Sequence, residues 1–145
     1  MGKRGITFVE LLLVGTILSS VSLFVGWNFR STRQKFFLEK QAQELVGILE
    51  KARTDAMAAK EGRRFGVELK ESQYIFFSLD DDANKAILKE KDLLPGMILT
   101  EDEVVFQKLT GIVDSEKIIN LTNSPYLIKI EITRMAIKKG KIEIE

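Results

Sequence analysis

Neither cysteine nor histidine occurs among the 145 residues, and there are only two prolines. The first absence removes disulfides, thiolate metal ligands, iron–sulfur clusters and thiol nucleophiles. The second removes the usual general base of serine and cysteine hydrolases and the commonest transition-metal ligand. A surplus of one charge is lacking too: 22 Lys and Arg stand against 21 Asp and Glu, a formal net charge of +1. A bulk nucleic-acid binder usually carries a large basic excess. No glycine-rich phosphate loop is present, since Lys139-Gly140-Lys141 stands alone. Asp80, Asp82 and Asn84 match the first ligands of a calcium loop, but Lys85 and Lys91 occupy the places that need Gly and Glu. These absences predict a chain that is not an enzyme and holds no cofactor and no metal.

What the sequence does have is an uneven spread of apolar residues. From Ile6 to Trp27 the only ionisable side chain is Glu10. As a helix this run is about 33 Å long at ~1.5 Å per residue, against a hydrocarbon core of about 30 Å. Asn28-Phe29-Arg30 follows rather than a small-residue cleavage site, so the run is expected to stay on the protein. Lys3 and Arg4 precede it and Arg30, Arg33 and Lys35 follow, so loop charge alone does not orient it.

The next block has helical period. Leu38, Ala42, Leu45, Leu49, Ala52, Ala56 and Ala59 recur every three or four residues and draw one apolar stripe, with charged residues around it. Glu61-Gly62 is a plausible stop. The spacing predicts one helix over 6–61, its first half (6–27) for membrane or filament core and its second (28–61) amphipathic.

After Gly62 the period falls to two. Phe65 to Leu69, Tyr74 to Leu79, Ile98 to Leu99, Val104 to Leu109, Ile118 to Leu121, Tyr126 to Ile132 and Ile142 to Ile144 read as strands. Tyr74, Phe76 and Phe77 are taken as strand core rather than as a stacking platform for bases. Turn signals stand at Asp80 to Asn84, Pro95-Gly96, Thr110-Gly111, Asn123-Ser124-Pro125 and Lys139-Gly140. One long helix followed by six or seven antiparallel strands over 62–145 is an α+β fold.

The first residues, MGKRGITFVELL, combine a short basic leader, a glycine, an apolar run and a glutamate five residues after the glycine. Lys3, Arg4, Gly5, Ile6, Thr7, Phe8 and Glu10 resemble the type IV prepilin (class III) signal. That resemblance implies a leader over 1–5, a membrane prepilin peptidase that cuts after Gly5 and methylates Ile6, and assembly through Thr7, Phe8 and Glu10. There is a physical reason for the glutamate. A lone charge deep in a bilayer costs on the order of 2.5–3.5 kcal/mol, while opposite charges at ~4 Å attract by about 4 kcal/mol at an effective dielectric of ~20. The new amine on Ile6, in the same or a neighbouring copy, and Glu10 thus roughly cancel each other's penalty.

The likeness continues in Leu45, Leu49, Ala52, Arg53, Ala56 and Val67, in the stretch Leu93 to Gly111, and in a closing strand from Ile137 to Ile144. These are similar to the GspH/FimT-type pseudopilins and minor pilins. The resemblance implies the pilin fold: a hydrophobic spine helix packed on antiparallel sheet, built into a type IV pilus or type II secretion pseudopilus. It also implies an inner-membrane protein before assembly, with a cytoplasmic leader, one lipid-embedded pass and the C-terminal domain outside the cytoplasm. The partners are then other pilins or pseudopilins and the inner-membrane assembly platform. Two alternatives stand beside it. One is a competence minor pilin that contacts DNA through Arg134, Lys138, Lys139 and Lys141, although Gly140-Lys141-Ile142-Glu143 places an acid where FimT-type binders carry a second base. The other is a membrane-anchored binding domain that never polymerises.

Overall fold

The apolar stripe dictates the packing. Leu38, Ala42, Leu45, Leu49, Ala52 and Ala56 all lie on one face of a helix and all are fully buried. The helix, α1, spans Phe8–Met57 in the computed structural model, which describes residues 7–58 and 60–144, with the side chains of 23–28 and 30 excepted. The chain divides into two units at Gln34/Lys35, inside α1. The helix ends short of the expected Glu61. A 3-10 turn over Lys60–Gly62 follows, with Glu61 at φ 53° and Gly62 at φ 69°. Glycine at that position removes the steric cost of left-handed backbone, as the stop signal requires. Ala59 lies outside the described residues.

The second unit holds the core. Its first sheet is built from β1 (Arg64–Lys70), β2 (Gln73–Leu79), β3 (Lys85–Asp92) and β5 (Asp102–Phe106) in the order β3-β2-β1-β5. The second comprises β4 (Ile98–Leu99), β6 (Lys117–Asn123), β7 (Tyr126–Ile132) and β8 (Ile137–Ile144) in the order β4-β6-β7-β8. All pairings are antiparallel, so the α+β expectation holds. Strand alternation decides which side chains go inward. Phe65, Val67 and Leu69 of β1 share a face with Tyr74 and Phe76 of β2 and Val104 and Phe106 of β5. From the second sheet come Leu99, Ile119, Leu121, Ile128, Ile130 and Ile132, and both sets form one core with the helix stripe.

Two expectations need correction. Lys85–Asp92 is a strand that the sequence reading passed over, because seven of its eight residues are exposed and no alternation marks it. Lys139-Gly140 is no turn: it lies inside β8, where the pairing with β7 skips a residue between Ile128 and Ile130. A Cβ on Gly140 would stand 2.9 Å from the carbonyl oxygen of Lys129, so the glycine serves close strand approach at a bulge. The reversal comes earlier, in residues 133–136, where the Thr133 N–H and hydroxyl both donate to the Ala136 carbonyl and the Ala136 N–H donates to the Thr133 hydroxyl.

On the outer face of the first sheet Lys85 reaches over the Phe77 ring, 4.0 Å from its centroid, and donates to Glu68 and to Glu103 at 3.3 Å. Its hydrogen bond holds the Glu68 carboxyl below the ordinary carboxylate range. Burial pulls the Lys85 ammonium down, but the bond to Glu68 and the charge of Glu103 outweigh it and the group titrates above its usual value. The carboxylate's contribution is complete above the ordinary value of 4.5 and disappears as pH falls through the lower folded value. The ammonium's is complete below 10.5 and disappears as pH rises through the higher folded value. Lys85→Met is expected to lower the urea midpoint at pH 7 by the equivalent of no more than about 1 kcal/mol, given solvent screening. The difference from the parent shrinks as the pH is taken down from 4.5 through the lower folded value of Glu68. An equal deficit throughout would mean that the loss is one of packing over Phe77.

Candidate assembly surface

The first unit begins with a cap. Thr7 precedes the helix, its hydroxyl accepts the Glu10 N–H at 3.3 Å, and its carbonyl accepts from Leu11 at 3.2 Å. Thr-x-x-Glu is the sequence of a capping box, and a carboxylate in the first turn also faces the positive end of the helix dipole. Thr7 and Glu10 therefore have a local role in starting α1, which the sequence reading, occupied with Glu10 as an ion-pair partner, did not assign. Gly5 and Ile6 lie outside the described residues.

Beyond the cap, every described side chain from Thr7 to Ser22 is exposed. Phe8, Val9, Leu11–Val14, Ile17, Leu18 and Val21 each leave between 50 % and 75 % of their surface open. Because successive residues turn by about 100°, Leu11–Val14 alone cover the whole circumference. A helix that is apolar all round belongs in a core or a bilayer, and a patch this large on a water-soluble monomer marks an interaction surface. Among the described residues no helix is long and apolar enough to cross a membrane. The stretch whose side chains are described, 7–22, is shorter than the roughly 20 residues that a span needs.

The polar residues in this stretch look after themselves. The hydroxyls of Thr16, Ser19, Ser20 and Ser22 donate to carbonyls three or four residues back at 2.8–2.9 Å. No partner from outside the helix is needed, which suits an environment without water.

Of the four basic residues considered for DNA, Lys138, Lys139 and Lys141 sit on the edge strand β8 and Arg134 in the turn before it. They do not converge. Lys139 faces the helix and donates to Glu39 at 3.0 Å. Lys138 stands opposite Glu131, and next to Lys141 the Lys129 ammonium donates to Glu143 at 2.8 Å, which holds it above its usual value. At the β2–β3 hairpin, Asp80 accepts from the backbone and side-chain nitrogens of Asn84 at 2.7 and 3.0 Å, and those bonds hold its carboxyl below the ordinary range. Those oxygens tie the turn together. Among the described residues no group of His, Cys, Asp and Glu is placed to hold a metal ion.

The fold is similar to that of two solved structures of the minor pseudopilin EpsH from the type II secretion system of Vibrio cholerae. One matches with a TM-score of 0.55 at 14% identity, covering 74% of this chain and 94% of that one. For the other the TM-score is 0.58 at 12% identity, over 77% and 98%. No family model matches the sequence, and no curated protein matches it either.

Proposed function

We propose that this chain is a structural subunit of a pseudopilus or type IV pilus, a minor pseudopilin or pilin whose work is assembly rather than catalysis. The observation that carries the reading is the apolar surface of α1 over 7–22, exposed on every side, on a chain whose fold is similar to that of a minor pseudopilin. In this reading the peptidase removes residues 1–5 and methylates Ile6. The helix, continued in sequence to Trp27, rests in the inner membrane with the β domain outside the cytoplasm. The assembly platform then draws it into a bundle of neighbouring pilins or pseudopilins. Glu10 meets the amine of its own or an adjacent copy, and Thr7 and Phe8 pack beside it.

This reading is favoured over DNA uptake through β8, because Lys139 is occupied by Glu39 and Lys138 stands across from Glu131. It differs from a permanently anchored, non-polymerising domain in one measurable respect. Protein extracted from membranes is expected to lack residues 1–5 by intact mass, while Gly5→Leu keeps them and stays out of the filament fraction. If the functional native protein still begins at Met1, the proposal fails.

A further inference from the structure

Strand β3 leaves one edge of the first sheet open. It pairs with β2 on one side only, and its seven-residue partner meets eight residues because Leu88 is an extra residue between the Phe77–Ile87 and Phe76–Lys89 pairs. That bulge brings both Leu88 and Lys89 to the rim of a groove of about 280 Å³ between β3 and the last turns of α1. The groove floor is the stacked pair Phe65 and Phe76, with ring centroids 6.1 Å apart. Its acids are already engaged: Asp55 with Lys60 at 3.5 Å, and Glu61 with Arg63 at 3.6 Å. Lys51 and Lys89 have no carboxylate within ion-pair distance among the described residues, and the Lys51 ammonium hangs 5.5 Å from the Phe76 ring centroid. An open backbone edge, an apolar floor and two unmatched cations therefore lie side by side.

We infer that this edge receives an extended segment of a partner protein, added as a fifth strand beside β3, with a carboxylate side chain turned into the groove between Lys51 and Lys89. Main-chain bonds to an edge supply affinity and alternate side chains supply selectivity in such additions. The charges also say what the segment is not. On the side turned toward α1, β3 presents Lys89 opposite Phe76 and Lys91 opposite Tyr74, so a second β3 laid beside it would bring lysines rather than a carboxylate to the groove, and the helix-facing side of β8 carries Lys139. The outer edge of β5 is engaged by the Phe106–Val113 bridge and by Lys117, which donates to the Glu103 carbonyl at 2.7 Å. The remaining edge strand, β4, is two residues long and its Leu99 N–H is already given to the Glu71 carbonyl at 3.0 Å, so among the described residues no edge of another copy offers a free carboxylate strand, and the partner is a different polypeptide with an acidic strand. The inference stands apart from filament assembly and survives its failure.

The test titrates the full chain in detergent micelles into a fluorescein-labelled peptide, Thr-Leu-Thr-Glu-Thr-Leu-Thr, whose even residues share one face, and reads anisotropy. The expected result is binding at least tenfold tighter than that of the same peptide with Lys for Glu, weakening as salt rises. Lys51→Glu combined with Lys89→Glu, both at exposed positions, reverses the preference. Methylating the amide nitrogens of one alternate set abolishes binding. Failure of the Glu peptide to bind at about 1 mM overturns the inference. So do equal affinity for the Glu and Lys peptides, an unaltered preference in the double variant, or full tolerance of methylation on both sets.

Discussion

Leu45→Ala is expected to lower the free energy of unfolding by about 3–5 kcal/mol, the upper range for a buried leucine truncated where its surroundings cannot collapse. Leu45 is fully buried at the middle of the helix stripe, with Leu38 and Ala42 before it and Leu49, Ala52 and Ala56 after it. It belongs to the single core that α1 forms with both sheets, so two layers of strand would have to move inward to fill the void. The urea midpoint at unchanged slope measures it. Phe36→Ala supplies the contrast, because Phe36 is 64 % exposed and its loss is expected to cost about 0.5 kcal/mol or less. A loss below about 1.5 kcal/mol at Leu45 would mean that the helix is not wedged against both sheets.

Gly66→Ala is the second large effect, expected to cost about 2–3 kcal/mol as overpacking. A Cβ there would stand 2.6 Å from Phe77 Cζ and 2.7 Å from the Val104 carbonyl oxygen. Gly66 and Phe77 are cross-strand partners, and the ring fills the space that the missing side chain leaves. The ring is itself covered by the Lys85 ammonium and the backbone oxygen belongs to the central pairing of β1 with β5, so neither neighbour yields freely. Adding Phe77→Leu to Gly66→Ala is expected to restore part of the loss, with a coupling above about 0.5 kcal/mol in a double-mutant cycle. Strict additivity would place the clash at Val104 alone.

The buried half of this fold was legible from spacing. The helix stripe, β1 and β7 each repeat apolar residues at the period of their element, β2 shows as an unbroken apolar run, and the stripe from Leu38 to Ala56 and the inward residues of these strands are buried. β3 escaped because a strand exposed on both faces has no alternation to show, and Lys85–Asp92 reads like any charged connector. Lys139-Gly140 misled for the opposite reason: glycine marks turns by its backbone freedom, but here it admits a neighbouring strand. At the assembly surface, the apolar run and Glu10 were visible, whereas the Thr7 cap and the back-bonded hydroxyls depend on local geometry. Leu88, Lys89 and Lys51 were beyond reach, since only the bulge and the helix end bring them to one groove.

The four back-bonded hydroxyls have a mechanical corollary. With Thr16, Ser19, Ser20 and Ser22 already bonded to the backbone, no side chain over residues 7–22 of α1 except the Glu10 carboxylate asks for a particular chemical mate. Such a stretch is free to slide and rotate against oily neighbours without breaking a polar contact, and in the proposed bundle Glu10 is then the group that would pin its axial position.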